Sequence, residues 1–203
     1  GVGKTFEEIS FAIEKKILLI NAESKSEIIT IEKIAKTKKK IVSIGIRLNP
    51  NTDAKTLSQI STGKKEDKFG ITEKSFLELV KYVNKSNFLN LKCLSVHIGS
   101  QIIDHGPYEK MLNIVDKIIK KSKYIFDYID LGGGMGISYT NKSKKLNYKK
   151  YDKAIKKFLK KNKTKIIFEP GRSIIGDVGI LIAKIIYIKE TNKKKFIILD
   201  AGM

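Results

Sequence analysis

Three clusters of chemically capable residues follow one another along this chain, each behind a short apolar run. The first is His97-Ile98-Gly99-Ser100-Gln101, the second Asp130-Leu131-Gly132-Gly133-Gly134-Met135-Gly136, the third Glu169-Pro170-Gly171-Arg172-Ser173. Each supplies a different tool: an imidazole beside a hydroxyl, a row of bare backbone amides, and a carboxylate next to a guanidinium. Consecutive amides without side chains can close on an anion such as a phosphate. A neutral imidazole offers a flat face, and an arginine fork matches two oxygens at once. The set would suit a phosphate-bearing aromatic ligand lying across the ends of parallel strands.

Each cluster also has an ordinary reading. A glycine run can be a tight turn needing positive φ, but three in succession exceed what one turn requires. As a dinucleotide fingerprint the run fails, because no helix and no distant acidic residue follow in register. A lone histidine is usually structural; the strand end and the adjoining Gly99 and Ser100 favour a ligand contact for His97. No further histidine or cysteine accompanies it at metal-ligand spacing, so no metal site is expected. Glu169 is read as ending a buried strand, where a charge is rarely placed unless it is paired or functional. Gly1-Val2-Gly3-Lys4-Thr5 has the ending of a P-loop, yet nothing later suits nucleotide hydrolysis, and Thr5 reads as a helix cap.

The elements that must position these groups alternate. Ile17 to Ala22 is an apolar run, followed by a helical period through Ile28, Ile31, Ile34 and Ala35. Ile41 to Leu48 is strand-like, and a loop of about twenty residues follows, longer than connections usually are. Thr72 caps a helix carrying Phe76, Leu79, Val80 and Val83. Leu91 to Ile98 is a strand, Pro107 begins a helix, Tyr124 to Leu131 is a strand, and a polar loop from Asn141 leads to a lysine-rich helix ending near Leu159. Ile166 to Phe168 is a short strand. Beyond Arg172, Ile180 to Ile188 and Phe196 to Leu199 are β-rich without a helix between them. Strands that read as continuous apolar runs predict a parallel sheet covered by helices, either doubly wound or a (β/α)8 barrel. Ligand groups at the ends of five strands favour the barrel.

Composition narrows the class. With 203 residues, 41% of them hydrophobic, the chain can bury a sizeable core, and no apolar run approaches a membrane span. The net charge of +20 invites a nucleic-acid reading, but only Arg47 and Arg172 are arginine among the 41 basic residues. Nucleic-acid sites favour arginine forks interleaved with aromatics, so neither nucleic acid nor membrane is expected as partner. The single cysteine, Cys93, lies in an apolar run; it is read as a buried thiol, and it points to a reducing, cytoplasmic setting.

Taken in order, the motifs resemble the fold-type III pyridoxal-phosphate decarboxylases, in particular their diaminopimelate branch. The residues that carry the likeness are Gly1 to Thr5, Asn21-Ala22-Glu23-Ser24, Arg47-Leu48-Asn49-Pro50, Ile60-Ser61-Thr62-Gly63, Lys68-Phe69-Gly70-Ile71, His97 to Gln101, Leu131 to Gly136, Glu169 to Arg172, and Asp200-Ala201-Gly202-Met203. The resemblance implies an α/β fold: residues 1–175 a partial (β/α)8 TIM-type barrel of the alanine racemase kind, from the end of strand three through strand eight, and residues 176–203 the start of a C-terminal β-domain. It implies pyridoxal 5'-phosphate as cofactor, contacted by His97, Ser100, Gly133, Gly134, Glu169, Pro170, Gly171 and Arg172. His97 would stack on the ring, Glu169 pair with its nitrogen, and the Arg172 side chain reach a substrate carboxylate. The implied reaction removes CO2 from meso-diaminopimelate to give L-lysine, in a homodimer acting on a small amino-acid substrate. Other decarboxylases of amino acids or polyamine precursors, and a non-catalytic pyridoxal-phosphate binder, stay open as alternatives.

The same resemblance places the Schiff-base lysine before Gly1 and a catalytic cysteine after Met203. None of the 39 lysines is therefore assigned a catalytic role, and the chain is expected to be a fragment, inactive and poorly folded alone.

Overall fold

The computed structural model describes residues 1–52, 68–139 and 145–202. The Ile60-to-Gly63 motif, the start of the polar loop at Asn141 and Met203 lie outside them. Contacts divide the chain into two compact units, Gly1–Ser173 and Ile174–Met203.

The first unit opens with α1 (Phe6–Glu14). Thr5 caps it reciprocally: its hydroxyl accepts from Glu8 N at 3.2 Å while the Glu8 carboxylate accepts from Thr5 N at 2.8 Å. Lys4 pairs with Glu27 at 2.6 Å. Both polar residues of the P-loop-like ending thus have structural partners. Next come β1 (Ile20–Ala22), α2 (Lys25–Thr37) and β2 (Val42–Leu48). Then follow α3 (Glu73–Val83), β3 (Leu89–Val96), α4 (Gly106–Ser122), β4 (Tyr128–Asp130), α5 (Tyr148–Leu159) and β5 (Lys165–Ile167). The helix periods read from sequence are the faces that bury: Ile28, Ile31, Ile34 and Ala35 on α2, and Phe76, Leu79, Val80 and Val83 on α3. Thr72 caps α3, accepting from Ser75 N.

All five strands pair in parallel, in the order β1-β2-β3-β4-β5. That order separates the two architectures left open by sequence. A doubly wound sheet reverses direction at a switch point; this one steps the same way at every crossover. Right-handed crossovers that all step one way put every helix on the same face, which is the arrangement of a barrel wall. The unit is a partial α/β barrel.

The face without helices explains a correction. The strands were expected to be continuously apolar, yet β1, β2 and β4 alternate. Ile20, Ala22, Ile46, Leu48 and Ile129 are buried in the hydrophobic core. Asn21, Gly45 and Cys93 form one row across the other face, and Arg47, Ser95 and Asp130 the next. Small or hydrogen-bonded side chains in an otherwise apolar strand read as a continuous run because their neighbours are so strongly apolar.

Two further expectations change in detail. The strand expected from Tyr124 is only Tyr128–Asp130; Phe126 is buried in the loop before it, and Tyr124 donates its hydroxyl to Leu91 O at 2.8 Å. The β-rich run read from Ile180 forms a strand only from Ile185, and a one-turn helix, α6 (Arg172–Ile175), precedes it. Among the described residues no helix is long and apolar enough to cross a membrane.

The second unit holds an antiparallel pair, β6 (Ile185–Glu190) and β7 (Lys195–Leu199). Asp200 closes its open end, accepting from Lys184 N at 2.7 Å. Every residue of both strands is exposed in this chain.

Candidate active site at the strand ends

The three clusters meet because β3, β4 and β5 are neighbours and end at the same level. Their loops are knitted by backbone bonds: Ile102 N to Gly134 O, Gly136 N to Ile102 O, Leu131 N to Ile167 O, and Glu169 N to Gly132 O, all between 2.9 and 3.0 Å. Gln101 adds a two-point amide clamp, donating to Ile137 O at 2.6 Å and accepting from Ile137 N at 3.2 Å.

The glycine run sits in the middle, and each glycine has a steric reason to lack a side chain. A methyl at Gly133 would overlap the carbonyl oxygen of Glu169, and one at Gly134 the carbonyl oxygen of Gly99. At Gly132 it would lie 2.5 Å from His97 Nδ1, with φ at +64°. The amides differ from the open nest read from sequence. Gly132 N donates to Asp130 Oδ1 at 2.9 Å and Gly133 N to His97 Nδ1 at 3.2 Å, while among the described residues Gly134 N meets no protein acceptor. From below, the buried Tyr108 hydroxyl donates to Gly133 O at 3.1 Å, its ring tilted at 31° against Tyr151 with centroids 4.3 Å apart.

His97 is therefore an acceptor at Nδ1, which places its proton on Nε2. Burial, then the Arg47 guanidinium, lower its pKa from 6.5 to about 4, with Glu23 pulling the other way. The ring is neutral at physiological pH and presents an uncharged face. A histidine held neutral in the fold contributes stability above its unfolded pKa and loses it as pH falls through the folded value. The cofactor-free protein should accordingly lose thermal stability between pH 6.5 and 4, and His97→Asn should flatten that slope. A melting temperature falling equally in both proteins would show that other groups carry it.

Below His97 lie the polar rows. Asp130, 1% exposed, accepts from Asn21 Nδ2 at 2.8 Å and Ser95 Oγ at 3.2 Å, besides Gly132 N. Arg47 donates to Glu23 Oε1 at 2.8 Å, Gly70 N donates to Glu23 Oε2 at 3.1 Å, and the guanidinium lies 5.0 Å from the Phe69 ring centre. Asp130 and Glu23 were assigned no role from sequence. Charged residues ending short apolar runs were the signal, the same one that singled out Glu169. Cys93 is buried as expected, its thiol pushed up to about 12 by desolvation and by Asp130.

Glu169 corrects an expectation. It stands two residues beyond the end of β5 and is exposed in this chain, where among the described residues β5 pairs with β4 alone. Its pKa is nonetheless raised, first by desolvation and then by Asp130, with Arg47 opposing. Ser100 is half-buried, and Pro170 and Arg172 lie beside Glu169 at intermediate exposure. A methyl on Gly171 would meet nothing within 4 Å. Arg172 Nη1 donates to the Tyr139 hydroxyl at 2.9 Å. Sequence offered no signal for Tyr139.

Residues 1–176 match the family profile of the pyridoxal-binding domain of pyridoxal-dependent decarboxylases. The whole chain aligns at 39% identity with diaminopimelate decarboxylase of Aquifex aeolicus, covering 49% of that relative. It aligns at 43% with the enzyme of that name from Helicobacter pylori strain J99, covering 51%. Among solved structures, H. pylori diaminopimelate decarboxylase complexed with L-lysine superposes with a TM-score of 0.89 at 42% identity, covering all of this chain and 52% of that one. The M. jannaschii enzyme with L-lysine gives 0.81 at 34%, covering all of this chain and 49% of that one. The chain spans about half the length of the curated relatives it matches.

Proposed function

The chain belongs to the pyridoxal-dependent decarboxylases, through their pyridoxal-binding domain, and from that premise we propose that it forms the cofactor-holding part of an enzyme releasing CO2 from meso-diaminopimelate to give L-lysine. The observation that carries this reading is the convergence of His97, the glycine run and Glu169 at one end of adjacent parallel strands. Whole-chain identity of 39–43% to diaminopimelate decarboxylases supports the substrate.

The residues fit pyridoxal phosphate on physical grounds. A neutral His97 face suits stacking on a cationic aromatic ring, where an imidazolium would repel it. Desolvation and the nearby Asp130 raise the cost of ionising Glu169, and a protonated ring nitrogen beside Glu169 would relieve it. Open space over Gly171 and a Gly134 amide that meets no protein acceptor among the described residues leave room and a donor for phosphate oxygens, and Ser100, Gly133, Pro170 and the Arg172 amide would complete the contacts. When bound, the cofactor accepts the electron pair left by the departing CO2. Glu169 would hold the proton on the ring nitrogen, His97 would stack on the ring, and the Arg172 side chain would receive a substrate carboxylate. We place the enzyme in the cytoplasm as a homodimer; the buried single thiol suits a reducing compartment.

Measured CO2 release by the enzyme carrying this chain, with pyridoxal phosphate and meso-diaminopimelate, tests the reading; preference for ornithine, arginine or lysine would reassign it. Arg172→Lys replaces a planar fork by a point charge and should cost about 1.5–3 kcal/mol in kcat/KM, with cofactor retained. Unchanged kinetics in that variant would remove the side-chain contact.

A further inference from the structure

The two arginines have different surroundings. Arg47 has an aromatic platform, Phe69, and a carboxylate, Glu23; the ion pair is nearly buried, with side chains 14% and 5% exposed. Arg172 has an aromatic platform, its guanidinium 5.9 Å from the Tyr139 ring centre, and a hydroxyl at 2.9 Å from the same residue. Among the described residues it pairs with no carboxylate. Among the described residues Arg47 thus faces a ring and a carboxylate, and Arg172 a ring and a hydroxyl.

Tyr139 stands on a fixed stem. Two residues before it, Ile137 is clamped through both N–H and C=O by the Gln101 amide, and Gly136 N donates to Ile102 O at 3.0 Å. The Tyr139 hydroxyl takes one of the five guanidinium N–H groups and leaves the remainder to receive two oxygens side by side. A long side chain at intermediate exposure otherwise samples many rotamers and gives up that freedom on binding. Tyr139 itself is 64% exposed, so its contact with Arg172 adds little to the stability of the fold.

Resting on the reading of Arg172 as the contact for a substrate carboxylate, we propose that Tyr139 is a positioning residue that holds the Arg172 guanidinium in its receiving orientation. Tyr139→Phe keeps the ring and removes only the acceptor. In the holoenzyme carrying this chain it should raise the KM for meso-diaminopimelate about three- to tenfold, the range for one lost hydrogen bond. Turnover should stay within about twofold, and both the melting temperature and the affinity for pyridoxal phosphate should be unchanged. In an Arg172→Ala background the same substitution should add nothing, since the two residues act as one unit. An unchanged KM in Tyr139→Phe beside a raised KM in Arg172→Ala overturns the positioning role alone. An unchanged KM in both variants overturns the reading of Arg172 and the proposal with it. Independent, multiplying effects in the double variant overturn the coupling, and a loss confined to cofactor affinity would assign the hydroxyl to the phosphate instead.

Discussion

Glu169→Gln in the enzyme carrying this chain should keep pyridoxal phosphate and lose about a hundredfold or more in turnover, the scale for removing one preorganised electrostatic group. The substitution preserves shape and most hydrogen bonding while deleting the charge. An ionised carboxylate beside the ring nitrogen raises that nitrogen's pKa, and the protonated ring is the better electron acceptor. The structure also gives the opposite sign for stability without cofactor. Glu169 has a raised pKa, first from desolvation and then from Asp130. The folded state therefore binds its proton more tightly than the unfolded state, and stability falls as pH rises from the ordinary carboxylate range through the raised value. Cofactor-free Glu169→Gln should accordingly melt no lower than the parent at neutral pH. A capping or purely structural carboxylate would show the reverse pair of results: turnover within about twofold and a lower melting temperature.

Gly134→Ala should destabilise the protein by about 2–5 kcal/mol, a large share of the 5–15 kcal/mol typical of folded domains. Two costs coincide there. The backbone has φ at +86°, which an L side chain resists, and a methyl would overlap the Gly99 carbonyl oxygen. Neither atom moves easily, because Gly134 O accepts from Ile102 N at 2.9 Å, locking the loops after β3 and β4 together. Gly171→Ala is the matched control: nothing lies within 4 Å of the added methyl. It should leave denaturant stability within about 0.5 kcal/mol while weakening cofactor binding if phosphate occupies that space. Chemical denaturation of the two variants separates the cases. A cost below about 1 kcal/mol at Gly134 would mean that the loops can shift apart.

Much of this is legible in the sequence. Helix faces, caps and the alternation of strand and helix follow from local chemistry: an apolar residue every three or four positions has one face to bury, and Thr5 and Thr72 satisfy amides a few residues away. The three clusters were identifiable because glycine runs and charges beside apolar strands need a reason to be there. Those signals are local, and they survived.

What sequence could not decide depends on distance in space rather than along the chain. The glycine run read as an open anion nest; packing shows Gly132 and Gly133 spending their amides on Asp130 and His97, and owing their missing side chains to neighbouring backbone. Burial of a strand end depends on how many neighbours the strand has: among the described residues Asp130 lies on a strand flanked on both sides and is buried, while Glu169 follows a strand flanked on one side and is exposed in this chain. Tyr139 carries no local signal at all; its meaning appears only where the β4 loop delivers it to Arg172, 33 residues away. By itself the sequence determined which groups are available and which elements carry them. Only the tertiary structure decided which group faces which, because a parallel sheet brings strand ends together irrespective of the length of chain that separates them.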